Sequence, residues 1–462
     1  MSGTPVSAVG PATAGSAAGS AASVPVPTGR AAADPAASRR GHGGSASTSP
    51  ADARAETRPD AVRDLDWDSA VARAHAAGTA LGRARPLAAG AEPLARAAGR
   101  TLAAPLRALT AIPAFASSAM DGWALAGDGP WAVGDPILAG ARPTDEPLAS
   151  GAARPIATGA PVPPGASAIL RSEHGDVVSG ARGAMLATNA FARAGEPFAG
   201  QHIRPAGEQA GPGDILLAEG ATLDSRGIAL AATAGFDEVP VRAARECDLL
   251  VLGDELRSAG APRPGEVRDA LGPSLPTVLE RAGLRMRSRT RSADDHDATV
   301  AALQASTADL VVTTGGSAHG PADFVRSALD RLGARMLVDG VAVRPGHPVG
   351  LARLPDGRLV LCLPGNPLAA LLCVAGLGIP LIDGLAGRSI RRAPRVLVAV
   401  GIPNPGSATR LVPCRFEADG AVPTRWQGSA MVRGLADTDA VVVVPPGGLA
   451  AGSTPATLPV AW

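Results

Sequence analysis

The chain reads as a multidomain α/β protein: a three-layer αβα domain, a β-rich domain and a small C-terminal β-barrel or sandwich. Three observations carry this reading. A length of 462 residues favours several domains over one. From Cys247 to about residue 390, apolar runs of strand length alternate with stretches of helical period, the order that builds a parallel sheet covered on both faces. Residues 107–212 and 391–462 break instead into short apolar pieces separated by Pro and Gly, as small β-rich domains do.

Taken in order, residues 1–63 are Ala, Ser, Gly, Pro and Thr with little to bury, and read as a disordered tail. They show neither the basic start nor the uninterrupted apolar core of a signal peptide. Asp66 or Asp68 caps a helix whose Ala70, Val71 and Ala74 share one face. Residues 107–212 are grouped as the β-rich domain, 244–390 as the αβα domain and 391–462 as a small β-barrel or sandwich. Within 244–390, a strand Cys247–Leu252 ends at Gly253-Asp254-Glu255-Leu256. Then come a helix from about Ser274 to Ala282, a strand from Leu284 to Arg287, Asp294-Asp295, and a helix near Ala298 to Ala305. Leu310, Val311 and Val312 form a strand that stops at Gly315-Gly316, and Gly320-Pro321 restarts the chain as a helix with Asp323 in its first turn. An extended piece from Met336 to Val343 precedes a strand from Arg358 to Leu363, which runs into Pro364-Gly365-Asn366-Pro367 and a last helix. That helix, to Leu385, is the best candidate for a membrane span, yet Asp383 and its glycines fit a buried helix better. The C-terminal barrel or sandwich is expected to use strands such as Val396–Val400 and Ala440–Val444.

Composition narrows the function. A formal net charge of +1 gives no global field that favours nucleic acid or membrane, so neither is an expected partner. Aromatic residues are 2% and Tyr is absent, so the cores rest on Ala, Val and Leu. Lys is absent too, and Arg must supply every strong side-chain cation. Cys247, Cys362, Cys373 and Cys414 have no metal or redox spacing and read as buried, reduced thiols of a cytoplasmic protein. The turn after Leu310–Val312 points free amides outward beside Gly315 and Gly316, an arrangement suited to phosphate or an oxyanion. Asp121 and Thr158 lie in loop sequences of little core value, and Glu255 ends a strand where a carboxylate does nothing for a core.

These loops resemble the molybdopterin molybdenumtransferase family, the lineage that includes MoeA and the E domain of gephyrin. The resemblance runs from Asp66 to Trp462 through SSAMDGWAL, TGAPVPPGASAILRSE, IRPAGEQAGPGDILL, LGDEL, TTGGSAHGPADF, VRPGHPVG and LPGNPLAALL, in that order. It implies an elongated homodimer of four-domain subunits, in which residues 64–106 and 213–243 form a helical and extended linker domain and 391–462 a C-terminal β-barrel, with the active site between the molybdopterin-binding αβα domain of one subunit and the β-rich domain of the other. It also implies an enzyme that takes adenylylated molybdopterin and molybdate, inserts the metal at the dithiolene and releases AMP, with a divalent cation such as Mg²⁺. Such chemistry needs amide or cationic donors for phosphates and carboxylates for a hard cation.

By motif, Asp121 and Thr158 fall on positions that handle substrate or molybdate, and Glu255, Asp294 and Asp323 on acidic positions of the αβα pocket. Glu255 and Asp323 are assigned to the cation or the adenylate. Gly315, Gly316, Arg344, Pro364, Gly365 and Asn366 should shape the pterin and phosphate pocket, and Ser429 of the last domain is transferred with them. Three of them have a plainer explanation: Asp323 answers a helix dipole, Asn366 before Pro367 is a good N-cap, and Asp294 suits a solvated turn. His319 and His347 have no partner histidine at ligand spacing and read as surface or pocket-lining residues.

The chain also departs from the family pattern. A usual Asp is Gln209, usual lysines are Gly340, Arg344 and His347, a loop Ser is Ala318, an acid is Pro321 and a Tyr is Trp123. Arg344 keeps a charge and adds a fork that suits phosphate. Two functions are therefore open: an active molybdenumtransferase, or a divergent paralogue that binds molybdopterin or a protein partner without turnover.

Overall fold

The computed structural model describes residues 63–180, 183–316, 324–428 and 430–459. Its central sheet has seven strands in the spatial order Arg63–Leu65, Arg335–Val341, Gly350–Arg353, Leu359–Leu363, Leu310–Thr314, Arg245–Leu252 and Leu284–Ser292. The expected parallel sheet is in fact mixed, because Gly350–Arg353 runs antiparallel to both of its neighbours. That strand has four residues and no periodic signal, so only its pairing reveals it. The strand predicted to stop at Arg287 continues to Ser292 as an edge strand with arginine at every second position, LRMRSRTRS.

Continuous apolar runs form the inner strands because both sheet faces are covered. Leu249, Val251, Leu310, Val312, Leu359 and Leu361 face one core, together with helices Trp67–Ala84, Leu271–Arg281 and Pro367–Leu385. Leu250, Leu252, Val311, Val360 and Cys362 face the other, under His296–Ala305 and Phe324–Arg331. Asp66 caps the first helix by accepting the Ser69 N–H at 2.9 Å.

The Trp67–Ala84 helix departs from its expected grouping with the linker. It packs on Ile379–Leu385 through glycines: a Cβ on Gly78 would lie 2.1 Å from Leu381 O, and one on Gly384 2.2 Å from His75 O. Only hydrogen side chains allow the two backbones to come so close. Arg63–Leu65 likewise pairs with Asp339 and Val341 of the sheet, whereas Ala89–Pro93 pairs with Glu238–Arg242.

Residues Pro367–Leu385 are, among those described, the one helix long and apolar enough to cross a bilayer, and they are wholly buried inside the protein. Asp383 within it is 1% exposed and is paired with both Arg388 and Arg391. The four cysteines are buried and free; burial pushes the Cys362 thiol up to about 11 and those of Cys247, Cys373 and Cys414 to about 12.

The β-rich region holds a six-stranded sheet in the order Ala168–Arg171, Gly122–Leu125, Ala152–Ile156, Trp131–Val133, Gly183–Thr188 and Gly175–Gly180. In the C-terminal region Thr409–Glu417 pairs with Gly420–Pro423 and Ala440–Val444, and Val343–Arg344 joins it from the αβα side. The segment expected as strand Val396–Val400 contributes only the bridge Val398–Ala421, because a chain that makes one isolated pairing builds no ladder.

Candidate active site

Helices that follow parallel strands bring their C-termini back to the edge where the strands begin, leaving the strands' carboxyl ends open to a ligand. Arginines occupy the first edge. Arg245 donates to Gly82 O, Arg85 O and Leu385 O, Arg388 to Ala282 O, and Arg242 to Ala386 O. These carbonyls belong to the ends of three helices, where positive charge answers the dipole. A cavity of about 550 Å³ lies there and is lined by Arg242, Arg245 and Arg388. The donors of these arginines are largely committed to helix ends, which makes that cavity a seam between packed elements.

The carboxyl-end edge carries the predicted loops. At strand spacings of about 4.8 Å, the five loops that follow the 335–341, 359–363, 310–314, 245–252 and 284–292 strands extend over roughly 24 Å. Gly315 and Gly316 have φ of +82° and +57°, and a Cβ on Gly315 would meet Leu252 O at 3.0 Å. Gly315 N–H donates to Leu363 O at 3.2 Å, and Gly365 packs on the Gly315 backbone. The glycines thus bring three strand ends together, with Pro364 buried beneath them. Asn366 serves its helix: its carboxamide oxygen accepts the N–H groups of Leu368 at 3.1 Å and Ala369 at 3.4 Å. Asp323, Ala318, His319 and Pro321 of the loop beyond Gly316, and Ser429, lie outside the described residues.

Asp294 is tied to a residue that motif reading did not select. Asp254 N–H donates to Asp294 Oδ2 at 3.2 Å, and Asp294 N–H donates to Asp254 Oδ1 at 3.3 Å. This reciprocal clasp joins the loops after two neighbouring strands. Glu255, exposed, lines a cavity of about 320 Å³ with Asp254, Arg257, Glu266 and Arg291. Arg291 is anchored there by its donation to Gly253 O at 2.9 Å. Asp254 was within sight, being next to Glu255, but nothing local shows that it meets Asp294.

Arg344 is exposed and stands in register with Arg410 across the junction to the C-terminal sheet. Arg410 left no signal, since its pairing spans 66 residues of chain (410 − 344). His347 Nε2 bonds Asp64 Oδ1 at 2.8 Å. Gly340 has φ +87°, and a Cβ there would lie 2.9 Å from the same Asp64 oxygen. The backbone therefore explains this glycine without reference to a lost cation. Gln209 is exposed, and its N–H donates to Ile112 O at 2.9 Å.

In the β-rich region Asp121 and Thr158 meet directly. Asp121 Oδ1 accepts the Thr158 N–H at 2.7 Å and its hydroxyl at 2.9 Å. The backbone donor, then the hydroxyl, holds the Asp121 carboxyl below the usual carboxylate range. Gly159 follows with φ +79°, which turns the loop back so that its N–H reaches Ser118 O at 2.8 Å. Among the described residues no hydrogen bond links this pair to the αβα loops of the same chain, and no three His, Cys, Asp or Glu side chains gather as a metal site.

Comparison with known proteins agrees with these features. Residues 66–235 match the family model described as "MoeA N-terminal region (domain I and II)", 248–384 "Probable molybdopterin binding domain", and 395–454 "MoeA C-terminal region (domain IV)". A molybdopterin molybdenumtransferase of Synechococcus elongatus is 32% identical over 391 residues, 80% of this chain and 94% of that protein. One from Bacillus subtilis is 29% identical over 75% of this chain and 84% of its own length. A crystal structure of a molybdopterin biosynthesis MoeA protein from Pyrococcus horikoshii shares the fold, with a TM-score of 0.67 at 19% identity over 86% of this chain and all of that one. With loops, order and overall likeness in agreement, the chain belongs to the molybdopterin molybdenumtransferase family.

Proposed function

We propose that this chain is a working molybdopterin molybdenumtransferase, which transfers molybdenum from molybdate to adenylylated molybdopterin and releases AMP. The observation that carries the reading is the Asp121–Thr158 pair: an exposed carboxylate, kept ionised by two donors, in a loop that builds no core. The glycine-rich edge at Gly315, Gly316 and Gly365 lets a pterin phosphate approach the backbone. Arg344, Arg410 and Arg291 supply cationic donors for phosphate or molybdate oxygens.

The acidic loops suit a hard cation held jointly with the substrate. Glu255, with Asp254 and Asp294 clasped beside it, offers oxygen ligands of the kind Mg²⁺ takes from one or two carboxylates, the remainder coming from phosphate and water. Asp323 is proposed as a further ligand. A bound Mg²⁺ would neutralise charge on the phosphoanhydride as it breaks. The finer layout follows the same reading: a cytoplasmic homodimer, boundaries near 107, 213, 244 and 391, and a C-terminal barrel, which the bridges Arg395–Ala456 and Val442–Thr457 support by extending the sheet. In the dimer the Asp121 loop of one subunit would face the αβα edge of its mate.

Purified protein given adenylylated molybdopterin, molybdate and Mg²⁺ should release AMP, and Asp121→Ala should lose most of that activity. Absence of AMP release from the unaltered protein would defeat the proposal. The alternative, a paralogue that binds without turnover, rests on Gln209, Ala318 and Pro321, the backbone having explained Gly340. It predicts ligand affinity without AMP release and recovery of activity in Gln209→Asp.

A further inference from the structure

A carboxylate outside the matched motifs ties together both supports of the Asp121 loop. Glu196 has a side chain only 7% exposed, beside His174 at 12%. Its Oε2 lies 2.6 Å from His174 Nδ1 and accepts the Arg193 N–H at 3.2 Å, while its Oε1 accepts the Gln201 amide at 2.8 Å. Two of the residues so held, His174 and Gln201, lie within two residues of a contact with the Asp121 loop. Two residues before His174, Ser172 N–H donates to Asp121 O at 3.0 Å. One residue after Gln201, His202 O accepts the Ala119 N–H at 2.8 Å, and Ile203–Arg204 pairs with Ser117–Ser118.

A buried carboxylate is costly unless it is fully paired, and beyond its own turn at Arg193 this one joins the His174 and Gln201 segments, which lie 27 residues apart (201 − 174). Burial alone would raise the Glu196 carboxyl, yet the Arg193 N–H, Gln201 and His174 together hold it below the usual range. It is therefore a fixed anionic anchor rather than a proton carrier. We infer that Glu196 is a positioning residue for Asp121, clamping the 172–174 and 201–204 segments so that the Asp121 carboxylate stays against Thr158. Reacting groups misplaced by about 1 Å can lose roughly a hundredfold in rate, so a clamp two hydrogen bonds away matters for turnover. The inference rests on the proposed role of Asp121, but its main readout does not depend on turnover.

Hydrogen exchange of the full-length protein tests it directly. Glu196→Ala should speed exchange at the Ala119 and Ser172 amides by about tenfold or more while leaving the central sheet unchanged, as a local opening does. Unchanged protection at both amides would overturn the inference. In the AMP-release assay Glu196→Ala should lower kcat by about 10–100-fold with little change in KM, and the exposed control Glu146→Ala should have no effect. The same substitution placed on Asp121→Ala should cost almost nothing more, because the two act as one unit. An equal cost on both backgrounds would mean that Glu196 does not act through Asp121. Should Glu196→Ala fail to fold, His174→Phe decides: faster exchange at Ser172 supports the clamp, and unchanged exchange overturns it. If the unaltered protein releases no AMP, the functional reading falls while the exchange result still decides the clamp.

Discussion

Restoring a lysine at Gly340 should damage this protein rather than repair it. Gly340 sits in the Arg335–Val341 strand with φ +87°, a conformation that costs a residue with a Cβ about 1–2 kcal/mol. The added Cβ would stand 2.9 Å from Asp64 Oδ1, the atom that bonds His347, so that pair must also part. The pair is exposed on both sides and contributes little, which leaves the backbone as the main cost. Gly340→Ala separates the backbone effect from any effect of charge and should be destabilised almost as much as Gly340→Lys. For a cooperative domain of roughly 150–250 residues, 1–2 kcal/mol corresponds to a fall in Tm of about 2–8 °C. Thermal unfolding followed by circular dichroism, with AMP release measured on the same samples, gives both readings. A Gly340→Lys protein as stable as the original and more active would refute the argument and favour a paralogue that has lost a functional cation.

Two further outcomes follow from ionisation and burial. Because its donors depress the Asp121 carboxyl, that group stays ionised above its lowered pKa and loses charge only as pH falls through that value; AMP release should therefore show no Asp121-dependent loss near neutral pH. A near-neutral limb in the pH–rate profile that disappears in Asp121→Asn would contradict this. The thiols of Cys247, Cys362, Cys373 and Cys414, buried and raised to about 11 or 12, should resist a thiol reagent at mildly alkaline pH in the folded protein. All four should react once urea unfolds the chain, and rapid labelling of the folded protein would show that a core is open.

Much of the framework of the candidate site was legible because its pieces are local. Strands such as Leu310–Thr314 and Leu359–Leu363 are apolar on both faces, so their runs stand out, and Gly-Gly and Pro-Gly-Asn mark where they end. Asp66 and Asn366 cap helices within three residues of themselves. The clasp between Asp254 and Asp294 spans 40 residues, and the register of Arg344 with Arg410 joins two domains. Neither leaves any periodicity to read.

By itself, then, the sequence determined which segments become buried strands, which loops cap them and which family they belong to, since burial pattern and turn chemistry are encoded over a few neighbouring residues. The tertiary structure alone decided that Gly350–Arg353 reverses its direction, that Trp67–Ala84 docks on the Ile379–Leu385 helix through Gly78 and Gly384, and that Glu196 ties His174 to Gln201. Each of these depends on a distance between segments far apart in the chain, and only packing brings them close enough to interact.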